Sequence, residues 1–368
     1  MNLVTKGVLD SNHSIKILDL VKKCRNFVCT FKHSTYLSDQ LKKVLNRNVA
    51  KESGNDEAKH PLKTLKQDVP TRWNSTYIML KSVLDAHDCV KSVINSTAEL
   101  RKKYAQMLLN NVDIEILEDL VHLLLPFFQF TKIMSGSQYV TISVVIPGIT
   151  RLLEILQIYE SRFNNKEIED LAKIMKNDLE DRTEIFFTNS MVISATFLDP
   201  RYRRFHFIKD QNQRESFVNK EKRYIISTYL AKFRNVETGD SLPPPPKRKR
   251  VSNENNFSLI NNEENEDATR SLDEKDQIEL EIKTYTEMKV VVTEQSNPLE
   301  FYKNKNVILK RLDKFSKIVF SITASSTPSE ETFSTAEDII SDRRSRLTPH
   351  HAEELIMISQ NRRLGVRY

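Results

Sequence analysis

The sequence predicts a mainly α-helical protein, and three observations carry that expectation. Apolar residues recur at three- and four-residue spacing along most of the chain, the period of a helix with one buried face. Glycine is scarce, at 6 of 368 residues, which disfavours turn-rich sheet architectures. Charged residues make up 29% of the chain, a composition that fits long helices with solvated outer faces.

Several function classes are set aside by composition and spacing. Neither G-x-x-x-x-G-K-[ST] nor G-x-G-x-x-G occurs, so phosphate-cradling loops have no support. No small-molecule substrate is expected. The formal net charge of +6 permits contact with nucleic acid without demanding it, because the basic residues are spread along the chain. Cys24, Cys29 and Cys89 are the cysteines, and so few in a chain this long imply buried thiols in a reducing compartment. No second Cys/His pair stands at ligand spacing from Cys24 and Cys29, so no metal site is expected there. The amino terminus lacks a charged-then-apolar leader, and no window approaches eighteen uninterrupted apolar residues. Neither secretion nor a membrane partner is expected.

In chain order, MNLVTKGVLD reads as helix already under way. Ile17, Leu18, Val21, Cys24, Phe27, Val28 and Phe31 then space as one helical face. Residues 38–44 form another short helix, and 46–63 read as a polar loop. Pro70 biases 69–73 toward extended backbone, after which Ser75 is expected to cap a helix with the stripe Leu80, Val83, Leu84, His87 and Ile94. Trp73, the only tryptophan, is either a large core residue beside a surface Arg72 or a platform for a base, since any base offers an aromatic face.

From Glu99 to about Phe233 the pattern is almost wholly helical. Pro126 is expected to kink the apolar run 114–133, and Pro147 with Gly148 to break the run 140–163. A further helix covers 168–186, and a short apolar piece, 191–198, ends in A-T-F-L-D-P-R-Y. Asp199 there reads as a helix or turn cap. His122 and His206 are lone imidazoles, read as structural. The run T-G-D-S-L-P-P-P-P-K-R-K-R-V opens an Asn- and Glu-rich stretch poor in apolar residues, the composition of a disordered linker over 238–275. Its tetrad Lys247, Arg248, Lys249 and Arg250 has the form of a nuclear-import signal; against the alternative of a merely solvated linker, import and residence in the nucleus are the expectation.

Helices resume at 276–290 and 306–323. Two more follow, each opened by Thr-Pro. Thr327 is expected at the N-cap with Pro328 first in the helix and Glu330 closing a capping box. Thr348 and Pro349 repeat the opening, ahead of the stripe Ala352, Leu355, Ile356 and Ile358, with Arg362 and Arg363 in the last turn, where cations suit the helix dipole.

Five blocks stand in one order: N-L-V at Asn2–Val4, T-R-W-N-S-T-Y at Thr71–Tyr77, L-D-P-R at Leu198–Arg201, N-P-L-E-F-Y at Asn297–Tyr302, and S-E-E-T-F-S-T-A at Ser329–Ala336, the last followed by the basic S-D-R-R-S-R-L. Together they resemble hAT-superfamily transposases, the last block being similar to the carboxyl-terminal hAT dimerisation region. Glu337 replaces the family's usual Gly after Ala336.

The resemblance implies a truncated RNase H-like fold interrupted by a large all-helical insertion, with few remaining strands. Residues 1–98 would be a remnant of the core, 99–237 the insertion, 238–275 the linker, and 276–368 the dimerisation region completing the core. Glu330 falls at the place of the third catalytic carboxylate. Three carboxylates are needed to hold two divalent metals, and the family's two Asp residues would lie upstream of residue 1. The chain by itself is therefore expected not to cut DNA and to need no cofactor; Mg or Mn would belong only to a complete site. Asp68 and Asp342 are poor substitutes, since nothing in their spacing converges on Glu330. What remains is self-association, with Phe333, Leu355, Ile356 and Ile358 as the contacts, and DNA binding through Arg72, Trp73, Arg343, Arg344 and Arg346. The alternative is that the chain is a fragment of an active, metal-dependent DNA transposase.

Overall fold

The computed structural model describes residues 2–10, 15–53, 64–69, 72–163, 165–233, 273–293, 296–340 and 347–363. Helices α1 (Asn2–Asp10), α2 (Ile15–His33), α3 (Thr35–Ser53), α4 (Trp73–Ile94), α5 (Ala98–Tyr104), α6 (Asn111–Met134), α7 (Val145–Tyr159), α8 (Lys166–Thr188), α9 (Ser190–Leu198), α10 (Gln211–Phe233), α11 (Glu274–Glu287), α12 (Pro298–Lys305), α13 (Lys310–Phe320), α14 (Thr327–Ile339) and α15 (Pro349–Arg363) follow in order, with short 3-10 turns at Ala105–Met107 and Ile142–Val144. The protein is mainly α. Among the described residues no strand forms, so the few strands expected are not found there.

The chain divides into two compact units. The first comprises Met1–Gly136, Gly148–Phe187 and Ser325–Ile356; the second comprises Ser137–Pro147, Thr188–Ala324 and Met357–Tyr368.

In the first unit α4 is the central element, packed against α1, α2, α3, α5 and α6. Its buried side chains include Trp73, Tyr77, Leu80, Val83, Ala86, Val90 and Ile94, which recur at helical spacing. Burial of each large apolar side chain is worth about 1.5–3 kcal/mol, so this stripe fixes the helix more than its intrinsic propensity does. Leu84 and His87 lie at the edge, half-buried. On α2 the buried face is Ile17, Leu20, Val21, Cys24, Phe27, Val28 and Phe31, with Leu20 taking the inward position expected of Leu18. Helix α3 runs to Ser53, through the first part of the expected polar loop. Leu37, Leu41 and Leu45 are buried, and that four-residue spacing carries the helix past the break the composition implied.

Helix α6 continues through Pro126, the site of the expected kink. The other expected punctuation mark acts differently. Pro147 and Gly148 do not break a helix but sit in the first turn of α7, where a proline's missing N–H costs nothing because that group has no intrahelical acceptor. Gly148 is required there by space: a Cβ would stand 1.9 Å from Cε2 of Phe130 on α6. The stretch Ile142–Tyr159 is apolar and long enough to cross a membrane by composition alone. Ile146, Ile149, Leu152 and Leu156 are buried, which accounts for its apolarity as that of a core helix.

In the second unit α9 occupies the centre. It packs against α10, α13 and the Ile142–Val144 turn, while α11 meets α10 and α13, and α12 meets α13. Every side chain from Val192 to Leu198 is buried, as expected of a helix that is apolar on all sides.

Candidate functional site

The carboxyl-terminal helices carry part of the exposed apolar surface among the described residues. On α14, Phe333 is 73% exposed, and Ile340, at the C-cap just past the helix, is also exposed. On α15, Ala352 is buried and Ile356 half-buried, whereas Leu355 and Ile358 are 38% and 46% exposed, with Met357 exposed between them. Each of the four residues named for self-association thus keeps apolar area in contact with water. Thr348 caps α15 as expected: its Oγ1 accepts from the His351 N–H at 3.4 Å and lies 2.7 Å from that residue's Nδ1.

Glu330 is placed one position later than expected. Ser326, not Thr327, is the N-cap of α14, and it makes no side-chain cap bond to the backbone. The expected capping box does not form. Instead the Ser326 hydroxyl donates to Oε1 of Glu330 at 2.8 Å, while the Glu330 N–H donates to the Ser326 carbonyl at 3.0 Å. The displacement has a tertiary cause: the Thr327 hydroxyl is turned to Ser135 Oγ at 3.3 Å and Ser325 Oγ donates to the Met134 carbonyl at 3.1 Å, which engages the polar atoms that would otherwise cap. Glu330 is exposed at the head of the helix. Among the described residues no group of three or more His, Cys, Asp or Glu gathers in metal-binding geometry.

Trp73 is only 4% exposed. Its ring is part of the α4 core, so the structure leaves it no open face for a base. Arg72, immediately before it, is exposed in extended backbone at φ −121° and ψ 100°. Ser75 does not cap α4, which starts two residues earlier. Its hydroxyl accepts from the Val69 N–H at 2.8 Å and donates to the Arg72 carbonyl at 2.6 Å, so it fastens the preceding segment. Asp68 is buried and held by Arg25 at 3.0 and 2.6 Å, with Thr76 at 3.3 Å, which occupies its oxygens structurally. Arg343, Arg344, Arg346 and Asp342, the tetrad Lys247–Arg250 and the 238–272 part of the linker lie outside the described residues.

Two of the five sequence blocks come together in the second unit. Asp199, fully buried, ends α9 and accepts from Ser143 Oγ at 2.7 Å, from the Arg201 N–H at 3.0 Å and from the Arg201 guanidinium at 2.7 Å. The cap expected there is therefore a buried hub, because a desolvated carboxylate is tolerated only when charge and donors surround it. The Tyr302 hydroxyl of the N-P-L-E-F-Y block donates to the Leu198 carbonyl at 2.9 Å, and the Tyr285 hydroxyl to the same carbonyl at 2.8 Å. Burial pushes both phenols up, which keeps them as donors. Arg203 reaches the carbonyls of Tyr285 and Met288 and lies over the Tyr285 ring at 5.3 Å.

Sequence reading did not find one further feature of this unit: an open cleft of ≈ 640 Å³ between the 203–206 turn, the first half of α10 and Thr286. His206, expected to be structural, is exposed at its rim. The available signal was Arg214 and Lys222, eight residues apart and therefore on one face of α10, downstream of the basic R-Y-R-R-F-H run.

The described elements form an all-helical array ending in two helices with exposed apolar side chains, and the comparisons make the class specific. Residues 281–362 match the family model described as the hAT family C-terminal dimerisation region, and residues 1–123 the one described as the ZBED1 RNase-like helical domain. The Putative AC transposase of Zea mays is 25% identical over 365 residues, covering 97% of this chain and 42% of that protein. Zinc finger BED domain-containing protein 4 of Homo sapiens is 23% identical, covering 98% of this chain and 28% of that protein. The Transposable element Hobo transposase of Drosophila melanogaster is 24% identical, covering 73% and 44%. These matches support a hAT-family transposase-derived protein. The chain spans less than half the length of these relatives.

Proposed function

We propose that this chain is a hAT transposase-derived protein whose working property is self-association through α14 and α15, with DNA as a second partner. The observation that carries the reading is the exposure of Phe333, Leu355 and Ile358 inside the segment that matches a dimerisation region. Large apolar side chains left in water favour a covering partner. Burying one is worth about 1.5–3 kcal/mol, so removing Phe333 from both protomers raises a dimer dissociation constant by at least about a hundredfold. Sedimentation equilibrium on the full chain tests this. The parent is expected to give twice the chain mass at micromolar concentration, and a Phe333→Asp, Leu355→Asp variant the single mass with unchanged helical circular dichroism. A parent that sediments as one chain sinks the proposal.

The helical array is read as part of an RNase H-like fold, supported by the match of residues 1–123 to an RNase-like helical domain. Glu330 is read as a helix-start residue tied to Ser326 rather than as a metal ligand. Mg²⁺-dependent strand cleavage that vanishes in Glu330→Gln would reverse that reading in favour of an active transposase. Arg72 is the described candidate for DNA contact, alongside the arginines Arg343, Arg344 and Arg346. Nuclear residence is proposed from the tetrad Lys247–Arg250; a fluorescent fusion that stays nuclear after all four are changed to Ala would count against it.

A further inference from the structure

We propose that the cleft in the second unit binds the phosphodiester backbone of a nucleic acid, through Arg204, Arg214 and Lys222. The cleft is lined by four permanent cations, Arg203, Arg204, Arg214 and Lys222, and by a single carboxylate, Glu215. Gln211, Asn219 and Thr286 add neutral hydrogen-bonding groups. This deepens the DNA-binding part of the proposed function and rests on it, and not on the self-association part.

The cations have distinct roles. Arg203 is committed to the fold, since its guanidinium holds the carbonyls of Tyr285 and Met288 at the end of α11. Burial, and to a lesser degree the positive charge of Arg204 beside it, disfavours the charged form of Arg203. Arg204 is exposed and Lys222 half-buried, and neither makes an ion pair or hydrogen bond among the described residues. Arg214 spends one guanidinium N–H on the Lys209 carbonyl at 3.4 Å, while its Nε is buried with no hydrogen-bond partner. A buried donor left unmade costs about 1–3 kcal/mol, and clustered like charges add to that. Such an arrangement is relieved by an anion that accepts several N–H bonds at once.

The geometry selects the kind of anion. Arg204 projects from a turn, whereas Arg214 and Lys222 stand two helical turns apart on α10, roughly 12 Å along its axis. That spread exceeds one phosphate group and suits several phosphates of a strand, which repeat about every 3.4 Å along the axis of duplex DNA. Arginine forks match phosphate oxygens in pairs. The turn presenting Arg204 and His206 is itself held in an uncommon shape: Phe205 between them has φ 49° with its side chain fully buried. A bulky residue adopts this left-handed backbone only when packing dictates it. The flanking Arg204 and His206 side chains, both exposed, are thereby held at the cleft rim.

The test is fluorescence anisotropy of the full chain with a labelled DNA duplex of mixed sequence, titrated across a range of salt. The Arg204→Ala, Arg214→Ala, Lys222→Ala variant is compared with the parent and with a charge-matched control, Lys91→Ala, Lys102→Ala, Lys173→Ala. Each lost phosphate contact should lower the slope of log affinity against log salt by about 0.9, so the cleft variant is expected to lose about 2–3 from that slope and at least about tenfold in affinity at low salt. The control is expected to lose less than half of either. An unchanged slope in the cleft variant, or an equal loss in the control, overturns the proposal. Equal competition by poly-glutamate or by inorganic phosphate also overturns it, since the cleft would then take any polyanion or a single small anion. Arg203 is left intact so that the fold is retained, and an unchanged sedimentation mass separates loss of this site from loss of self-association.

Discussion

Glu221 lies on α10 with 1% exposure, and the Ser194 hydroxyl of α9 donates to its Oε1. Burial pushes its carboxyl from an ordinary 4.5 up to about 7; the Ser194 hydrogen bond and the charge of Lys220 pull the other way without matching it. The folded protein therefore binds this proton more tightly than the unfolded chain does. Between pH 4.5 and about 7 the unfolded state has released it while the folded state retains it, so folding stability falls as pH rises through that window. A proton affinity that differs this much between the two states is worth about 3 kcal/mol. The loss is absent below the window and complete above it. Glu221→Gln keeps the side chain's size and an acceptor for Ser194 but does not titrate. Urea unfolding followed by circular dichroism should find the variant more stable than the parent by up to about 3 kcal/mol near pH 8, with the two converging near pH 4.5. Parallel pH profiles for parent and variant across the window would refute the reasoning.

Two further outcomes follow from packing. Gly148→Ala drives a methyl into the Phe130 ring, whose Cε2, Cζ and Cδ2 would lie 1.9, 2.5 and 2.7 Å away; overpacking is expected to cost about 1–3 kcal/mol despite alanine's better helix propensity, read as a lower urea midpoint. Cys24 is fully buried on α2, where burial and the nearby charge of Asp113 push its thiol up to about 12, whereas Cys29 is half-buried. Iodoacetamide followed by mass spectrometry should label Cys29 in the folded chain and reach Cys24 only on unfolding; early labelling of Cys24 would contradict its placement.

Where the sequence read well, the interaction was local. Helical period located α2, α4, α6 and α8, because burial of a stripe follows directly from the spacing of apolar residues. Thr348 was legible as a cap because its partner, the N–H of His351, is three residues away. The block order marked the family. Where the reading differed, a distant group had intervened. Ser135, 192 residues from Thr327, turns that hydroxyl away from the start of α14 and leaves Glu330 with Ser326. The leucines of α3 carry it beyond the expected loop, and Pro147 ceases to be a breaker once the chain begins its helix at Val145.

The division runs through the site as well. By itself the sequence determined that the chain is mainly helical, that its last two helices carry Phe333, Leu355, Ile356 and Ile358, and that Glu330 stands at a helix start. Those properties depend on spacing and on residues within a turn or two. Only the tertiary structure decided that Trp73 is core, that Asp199, the cap at the end of α9, is also a buried hub, that Tyr302 holds the end of α9, and that Arg204, Arg214 and Lys222 line one cleft. Burial and desolvation are properties of surfaces brought together from far along the chain, and no local pattern encodes which surfaces those are.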